Sequence, residues 1–238
     1  MKRRKKYIGL VCLALIAAAC TPDDEAPVFH DLGYSYFPTE IGHFVEYRAD
    51  SIWHDNPTLD APGVHDTSRY FIREYIESDF TDGAGETAQR LERYKRFSEE
   101  EPWELIDVWF IKRTERNAQK VEENVRYVKM GFPIEENSTW DGNALNVNPT
   151  RTYRYDSLYV PRTYGDSDFP ETVKVLQLDN FNFVEDQLAY EIYAPEVGLI
   201  LRYYRDLETR LGYMENPVAE NIRSGREFRW EVTAYGKE

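Results

Sequence analysis

Several stretches of this chain alternate apolar or aromatic residues with polar ones at a period of two, and no other feature restricts the fold as strongly. Val45, Tyr47, Ala49 and Ser51 oppose Phe44, Glu46 and Arg48, while Tyr70 and Ile72 oppose Phe71, Arg73 and Tyr75. Trp103, Leu105, Asp107, Trp109 and Ile111 alternate with Glu104, Ile106, Val108 and Phe110; Phe228, Trp230 and Val232 alternate with Arg229, Glu231 and Thr233. Successive side chains of a strand point to opposite faces, so these are half-buried strands. Phe, Trp and Tyr reach 15% of residues, a composition that packs well on a pleated surface. Turn-rich breaks such as Asp82-Gly83-Ala84-Gly85 separate the runs. The expected fold is all-β, a large curved antiparallel sheet or partly open barrel of roughly ten strands, curled to limit its exposed edges. Residues 87–101 are ambiguous, because Ala88, Leu91, Tyr94 and Phe97 at spacing three also suit a helix; strand is the preferred reading.

The start of the chain is of another kind. Lys2, Arg3, Arg4, Lys5 and Lys6 precede an apolar run from Tyr7 to Ala19. That is a secretory signal, too short to span a hydrocarbon core, which needs about 20 apolar residues. It ends in Ala17-Ala18-Ala19-Cys20 and resembles the lipobox of bacterial lipoproteins. The resemblance implies cleavage before Cys20 and lipidation of its thiol; the competing reading is an ordinary signal peptide cut near Ala19. Two or three acyl chains, at about 0.8 kcal/mol per buried methylene, hold far better than one. Thr21 to Pro27 is a polar, Pro-bracketed tether. Its cluster Asp23-Asp24-Glu25 resembles the export signal that sends Bacteroidetes lipoproteins to the outer face of the outer membrane; the periplasmic face is the alternative. The expected division is residues 1–19 signal peptide, 20–33 lipidated cysteine and flexible tether, and 34–238 a single β-rich domain.

Removing residues 1–19 leaves 24 Lys and Arg against 43 Asp and Glu, a net charge of −19. Such a chain repels nucleic acid, whose recognition needs clustered basic residues. One cysteine is discarded and the other lipidated, so no disulfide or thiolate metal site forms and stability must come from a core.

Catalytic signatures are missing: the chain holds no Gly-x-Ser-x-Gly elbow, P-loop or dinucleotide fingerprint. His54-Asp55 and His65-Asp66 flank a Pro- and Gly-containing loop from Asn56 to Val64. Imidazole with carboxylate suits zinc or a general base, which makes these four residues weak metal candidates. Their spacing favours solvated loop residues, and no metal or cofactor is expected. Acidic neighbours such as Glu99-Glu100-Glu101, Glu122-Glu123 and Glu135-Glu136 point to opposite faces of a strand and read as solvated edges or turns. Asp179-Asn180-Phe181-Asn182 with Glu185-Asp186 supplies oxygens but lacks the EF-hand spacing. Asp50-Ser51-Ile52 and Asp156-Ser157-Leu158 resemble the O-glycosylation acceptor of Bacteroidetes envelope proteins, making Ser51 and Ser157 candidate acceptors. Phe37 to Gly42 before Val45, and Phe132 to Asn137 before Trp140, form a faint repeat in which Gly42 and Asn137 both suit a left-handed backbone.

Three scattered segments carry a wider resemblance: Tyr36-Phe37-Pro38 with Gly42, Tyr47 and Asp50-Ser51-Ile52; residues 124–133 with Trp140-Asp141-Gly142-Asn143; and Tyr193 to Ile200. Together they resemble small, functionally uncharacterised outer-membrane lipoproteins of the Bacteroidetes, with Val45 where that pattern has tryptophan. The resemblance implies a β-rich fold and an envelope address, and no activity. Two functions are weighed: a non-enzymatic binding or structural lipoprotein with a lipid, glycan or envelope-protein ligand, and a hydrolase acting on a surface polysaccharide. No His, Ser or Cys constellation converges, which favours the first. Aromatic side chains beside turns are the first candidates for ligand contact, namely Trp140 and Tyr193.

Overall fold

Adjacent alternating segments pair in sequence order, so the chain winds as an antiparallel meander. The computed structural model describes residues 31–55 and 64–238. Its strands are β1 (His43–His54), β2 (His65–Thr81), β3 (Thr87–Arg96), β4 (Glu104–Arg113), β5 (Asn117–Glu122), β6 (Val125–Gly131) and β7 (Thr139–Asp141). After these come β8 (Thr152–Ser157), β9 (Arg162–Tyr164), β10 (Ser167–Phe169), β11 (Val173–Phe181), β12 (Glu185–Ala194), β13 (Gly198–Thr209) and β14 (Ile222–Lys237). Twelve form one sheet in the order β6-β5-β4-β3-β2-β1-β14-β13-β12-β11-β8-β7, and β9 and β10 form a separate hairpin. The sheet is nearly closed into a barrel. The fold is thus the expected curved all-β architecture, with more strands than the ten anticipated and with residues 87–96 as strand.

Closure is made at the seam between β6 and β7 largely by side chains. Val128 N–H donates to Gly142 O at 2.9 Å, and the Trp140 indole Nε1 donates to Val128 O at 3.0 Å. Tyr155 Oη donates to Gly131 O at 2.6 Å, and Asn146 Nδ2 to Arg126 O at 2.8 Å. Backbone groups of β6 that would otherwise face outward are thereby paired, which removes an edge open to aggregation.

The inner face follows the period-two pattern. Val45, Tyr47 and Ala49 of β1, Ile72 of β2, and Trp230 and Val232 of β14 are buried together. Ile76, Leu91, Ile111, Ala118, Met130, Tyr153, Tyr155, Val173, Val175 and Tyr193 meet in one cluster although their strands are spread around the whole sheet. Only a curled sheet brings them together. Outside, the β9–β10 hairpin lies against β14, with the Phe169 ring 5.9 Å from the Tyr235 ring, and its Tyr164 and Phe169 share a cluster with Tyr190 and Tyr203.

One end of the barrel is plugged by a 3-10 turn at Tyr34–Tyr36. Tyr36 and Phe37 enter the inner cluster, and Arg113 Nη1 donates to the carbonyls of Tyr34 and Phe37, both at 2.8 Å. Gly33 precedes the turn at φ 83°, where a Cβ would stand 2.4 Å from Ile134 Cδ1. Gly42 and Asn137 take φ 87° and 64° ahead of β1 and β7, as the repeat anticipated.

Candidate functional site

The barrel interior holds charges as well as apolar side chains. Lys120 Nζ meets both oxygens of Glu74 at 2.8 and 2.7 Å, and Lys129 Nζ lies 2.9 Å from Glu191 and 3.2 Å from Glu122. Arg202 reaches Glu122 at 3.2 Å and Glu191 at 3.5 Å, while Arg93 joins Glu74 at 3.4 Å and Asp107 at 2.9 Å. Gln177 Nε2 and Tyr193 Oη both donate to Glu191 Oε2 at 2.7 Å. Four cations face four carboxylates, so the network is neutral. Arg93 also lies over the Trp109 ring at 3.8 Å.

Burial disfavours charge on Glu122, but Arg202, Lys129 and Lys120 outweigh it and hold that carboxyl far below its usual range. Glu191 is lowered in the same way, against burial, by Lys129 and Arg202. Burial opposes the charge of Lys129 too, yet Glu122 and Glu191 raise it. For Lys120 burial wins, and its pKa falls. The expected solvated reading of Glu122 is therefore corrected: β5 turns it inward, in phase with Ala118 and Lys120.

Beside this network, under the plug, lies a cavity of about 60 Å³ lined by Phe37, Val45, Ile76, Lys120, Lys129 and Tyr193. A single water needs roughly 10 to 15 Å³ of such space, so the cavity has room for a few waters. The interior is a packed core.

Trp140 and Tyr193 both pack on the inner cluster, Trp140 half-buried and Tyr193 fully buried. Trp140 packs between Tyr153 and Tyr155 with its indole nitrogen committed to the seam, and Tyr193 is 3% exposed with its hydroxyl on Glu191. Tyr193 is a buried anchor, which corrects its candidacy for surface ligand contact, while Trp140 is half-buried. Ser51, half-buried, shares the inward phase of Tyr47 and Ala49 in mid-strand, opposite Phe228 and Ser68. Ser157 Oγ accepts from Arg162 Nη2 at 3.1 Å. Cys20 lies outside the described residues. In the 179–186 turn, Asn180 and Asn182 amides donate to Glu185 at 3.0 and 3.2 Å, and Asp186 is paired with Arg205 and Tyr213. These oxygens already serve the hairpin.

The histidine pairs fare differently. His54 and His65 are directly opposite across β1 and β2, with their Nδ1 atoms 2.7 Å apart. His54 Nε2 lies 3.0 Å from Glu227 Oε1 on β14, and Tyr203 Oη donates to Glu227 Oε2 at 3.3 Å. Asp66 is opposite Trp53, on the other face of the hairpin, and Asp55 N–H bonds Val64 O. Among the described residues no three His, Cys, Asp or Glu converge as metal ligands. Glu227 and Tyr203 had no signal in the sequence, since they come from strands more than 130 residues downstream of the pair.

The two ends of the barrel differ in how much apolar surface they expose. At the plug end the turns after β2 and β4 are Asp82 to Glu86 and Thr114 to Arg116, polar and charged, and the exposed large apolar side chains there include Ile41, Phe80, Tyr159 and Val160. At the opposite end five of the six turns carry or adjoin exposed large apolar side chains. Trp53 and Val64 bracket the β1–β2 turn, and Phe97 and Leu105 the β3–β4 turn. Leu145 and Val147 follow β7, and Phe181, Phe183 and Val184 form the β11–β12 turn. Leu211 and Met214 lie in the β13–β14 loop. The last two turns are one unit: Thr209 N–H donates to Val184 O at 2.8 Å, Phe181 contacts Tyr213, and Leu207, Tyr213 and Ile222 make a small core beneath. The described residues of these six turns carry seven carboxylates against Arg151 and Arg210. Set against protein-family models, curated proteins and solved structures, the chain matches none of them.

Proposed function

We propose that this chain is an outer-membrane lipoprotein, anchored through Cys20, whose barrel is a non-enzymatic binding module that meets an envelope protein through the apolar crown of turns. The observation that carries the reading is the larger group of exposed apolar side chains on the turns opposite the plug. Exposed apolar side chains grouped at one end mark interaction surfaces, and the described chain enters the barrel through residues 31–33 at the other. Val147, Val184, Leu211 and Met214 offer a sugar no polar handle, and seven carboxylates oppose an anionic bilayer. A protein surface with an apolar centre and basic surroundings is the complement. Display on the outer face follows from the acidic segment after Cys20.

The test is binding of the purified full-length chain to detergent-solubilised envelope proteins, a glycan array and anionic or zwitterionic vesicles, with Phe183→Ser and Leu211→Ser alongside. Binding to a protein, weakened by salt and lost in the crown variants, is expected. Turnover of a polysaccharide that vanishes with His54→Ala or His65→Ala overturns it in favour of the hydrolase.

A further inference from the structure

We propose that His54 and His65 form a two-histidine chelate for a divalent transition cation, with Glu227 as the carboxylate that holds His54 in its ligating tautomer. This does not rest on the binding-module reading. A carboxylate can only accept, so at 3.0 Å from Glu227 Oε1 the His54 Nε2 must carry the proton. Neutral His54 then has a bare Nδ1, and that lone pair points at His65 Nδ1, 2.7 Å away. Such an outer carboxylate on the far nitrogen of a ligand histidine fixes ring orientation and raises its basicity. His54 is 5% exposed and is held in place on both sides, whereas His65, the first residue of β2, is exposed.

The geometry needs little change. Two Zn–N bonds of about 2.0 to 2.1 Å at a tetrahedral angle set the nitrogens about 3.3 to 3.4 Å apart, roughly 0.6 to 0.7 Å wider than the present contact. His65 supplies this by turning outward and moving its proton from Nδ1 to Nε2 through solvent, with no net change in protonation. Both Nδ1 lone pairs then face the cation, and water completes its shell. The other groups around the pair do not compete. Tyr203 Oη donates to Glu227 Oε2, and Arg205, opposite Glu227 on β13, is directed to Asp186 at 2.8 Å. Imidazole donors select zinc, copper or nickel over magnesium and calcium.

The experiment is calorimetric titration of the full-length chain, purified without a polyhistidine tag, with ZnCl2 and separately with MgCl2. Long-range proton–nitrogen spectra of the imidazoles accompany it. Expected are one saturable zinc site, no magnesium binding, and ligation of both rings through Nδ1. His65→Ala should weaken zinc binding at least roughly tenfold at unchanged melting temperature, and Glu227→Gln by roughly 10- to 100-fold, the usual cost of removing an outer partner. Absence of saturable zinc uptake, uptake indifferent to His65→Ala, or ligation through Nε2 overturns the proposal.

Discussion

The indole nitrogen of Trp140 donates to the carbonyl of Val128 at 3.0 Å, and through that bond a side chain does the work that a backbone ladder does elsewhere in the sheet. Trp140→Phe keeps most of the packing on Tyr153 and Tyr155 but leaves Val128 O unpaired. A loss of about 1 to 3 kcal/mol is expected, the cost of orphaning a buried acceptor. Chemical denaturation measures it, and hydrogen exchange should show the extra opening concentrated in β6.

Lys129 sits between two carboxylates at the centre of the barrel. Lys129→Met removes the cation and leaves Glu122 and Glu191 facing each other, with Arg202 as their shared partner. Breaking a buried pair from one side costs about 3 to 5 kcal/mol. The double variant with Glu191→Gln should recover part of that loss, and a double-mutant cycle by urea unfolding reads the coupling.

Stability should fall on both flanks of neutrality. Between the ordinary carboxylate range and their own lowered values, Glu122 and Glu191 bind fewer protons folded than unfolded, so their contribution is full above the ordinary range and is lost as pH falls through the lowered one. On the alkaline side, burial and then Glu171 push Tyr36 up to about 12, and burial and then Asp186 push Tyr213 up to about 12. Burial raises Tyr47 and Tyr193 further. Unfolded tyrosines ionise near pH 10 while these hold their protons, so stability declines as pH rises from about 10 through the folded values. Urea midpoints across pH 3 to 12, with tyrosinate absorbance, check both limbs; a flat profile above pH 10 would contradict the burial of these hydroxyls.

Arg113 closes the plug. Arg113→Ala removes two charge-assisted bonds to Tyr34 and Phe37, and a loss of about 2 to 3 kcal/mol is expected. Amide exchange at residues 33–38 should rise while the crown turns keep their protection.

Cys20→Ser is expected to abolish fatty-acid labelling and detergent partitioning, since no other thiol follows residue 19. A variant that still partitions into detergent would show that something other than this lipid holds the chain to a membrane.

The alternation in β1 and β14 was legible in full, because Val45, Tyr47, Ala49, Trp230 and Val232 lie on the face their period assigned. In β4 it was legible only in part. Asp107, Trp109 and Ile111 keep the inward phase, but the register shifts at Arg93 and Tyr94 leave Ile106 as an extra residue and turn Leu105 outward, 47% exposed. A one-residue bulge reverses a period-two reading and has no local signature. The ionic interior was hidden for another reason: Lys120, Glu122, Lys129 and Glu191 read as solvated until strands far apart in the chain supply their counter-charges. A weak clue was Glu191 standing between Ala189 and Tyr193 in an apolar phase. The meeting of His54 and His65 could be anticipated from their flanking one loop, while Glu227 could not.

The pairing of β1 with β14, from His43 with Lys237 to His54 with Gly225, joins strands separated by most of the chain. Every other neighbour in the sheet is close in sequence, so two halves can wind locally and then wait for this junction. The loop entropy of closing it is spent before the ring of strands rewards it. Folding should therefore be limited by a late zippering step that needs the last strand to have arrived. Until then β1 offers an open hydrogen-bonding edge, and a chaperone that shields a single strand would speed the yield of native barrel without touching its final stability.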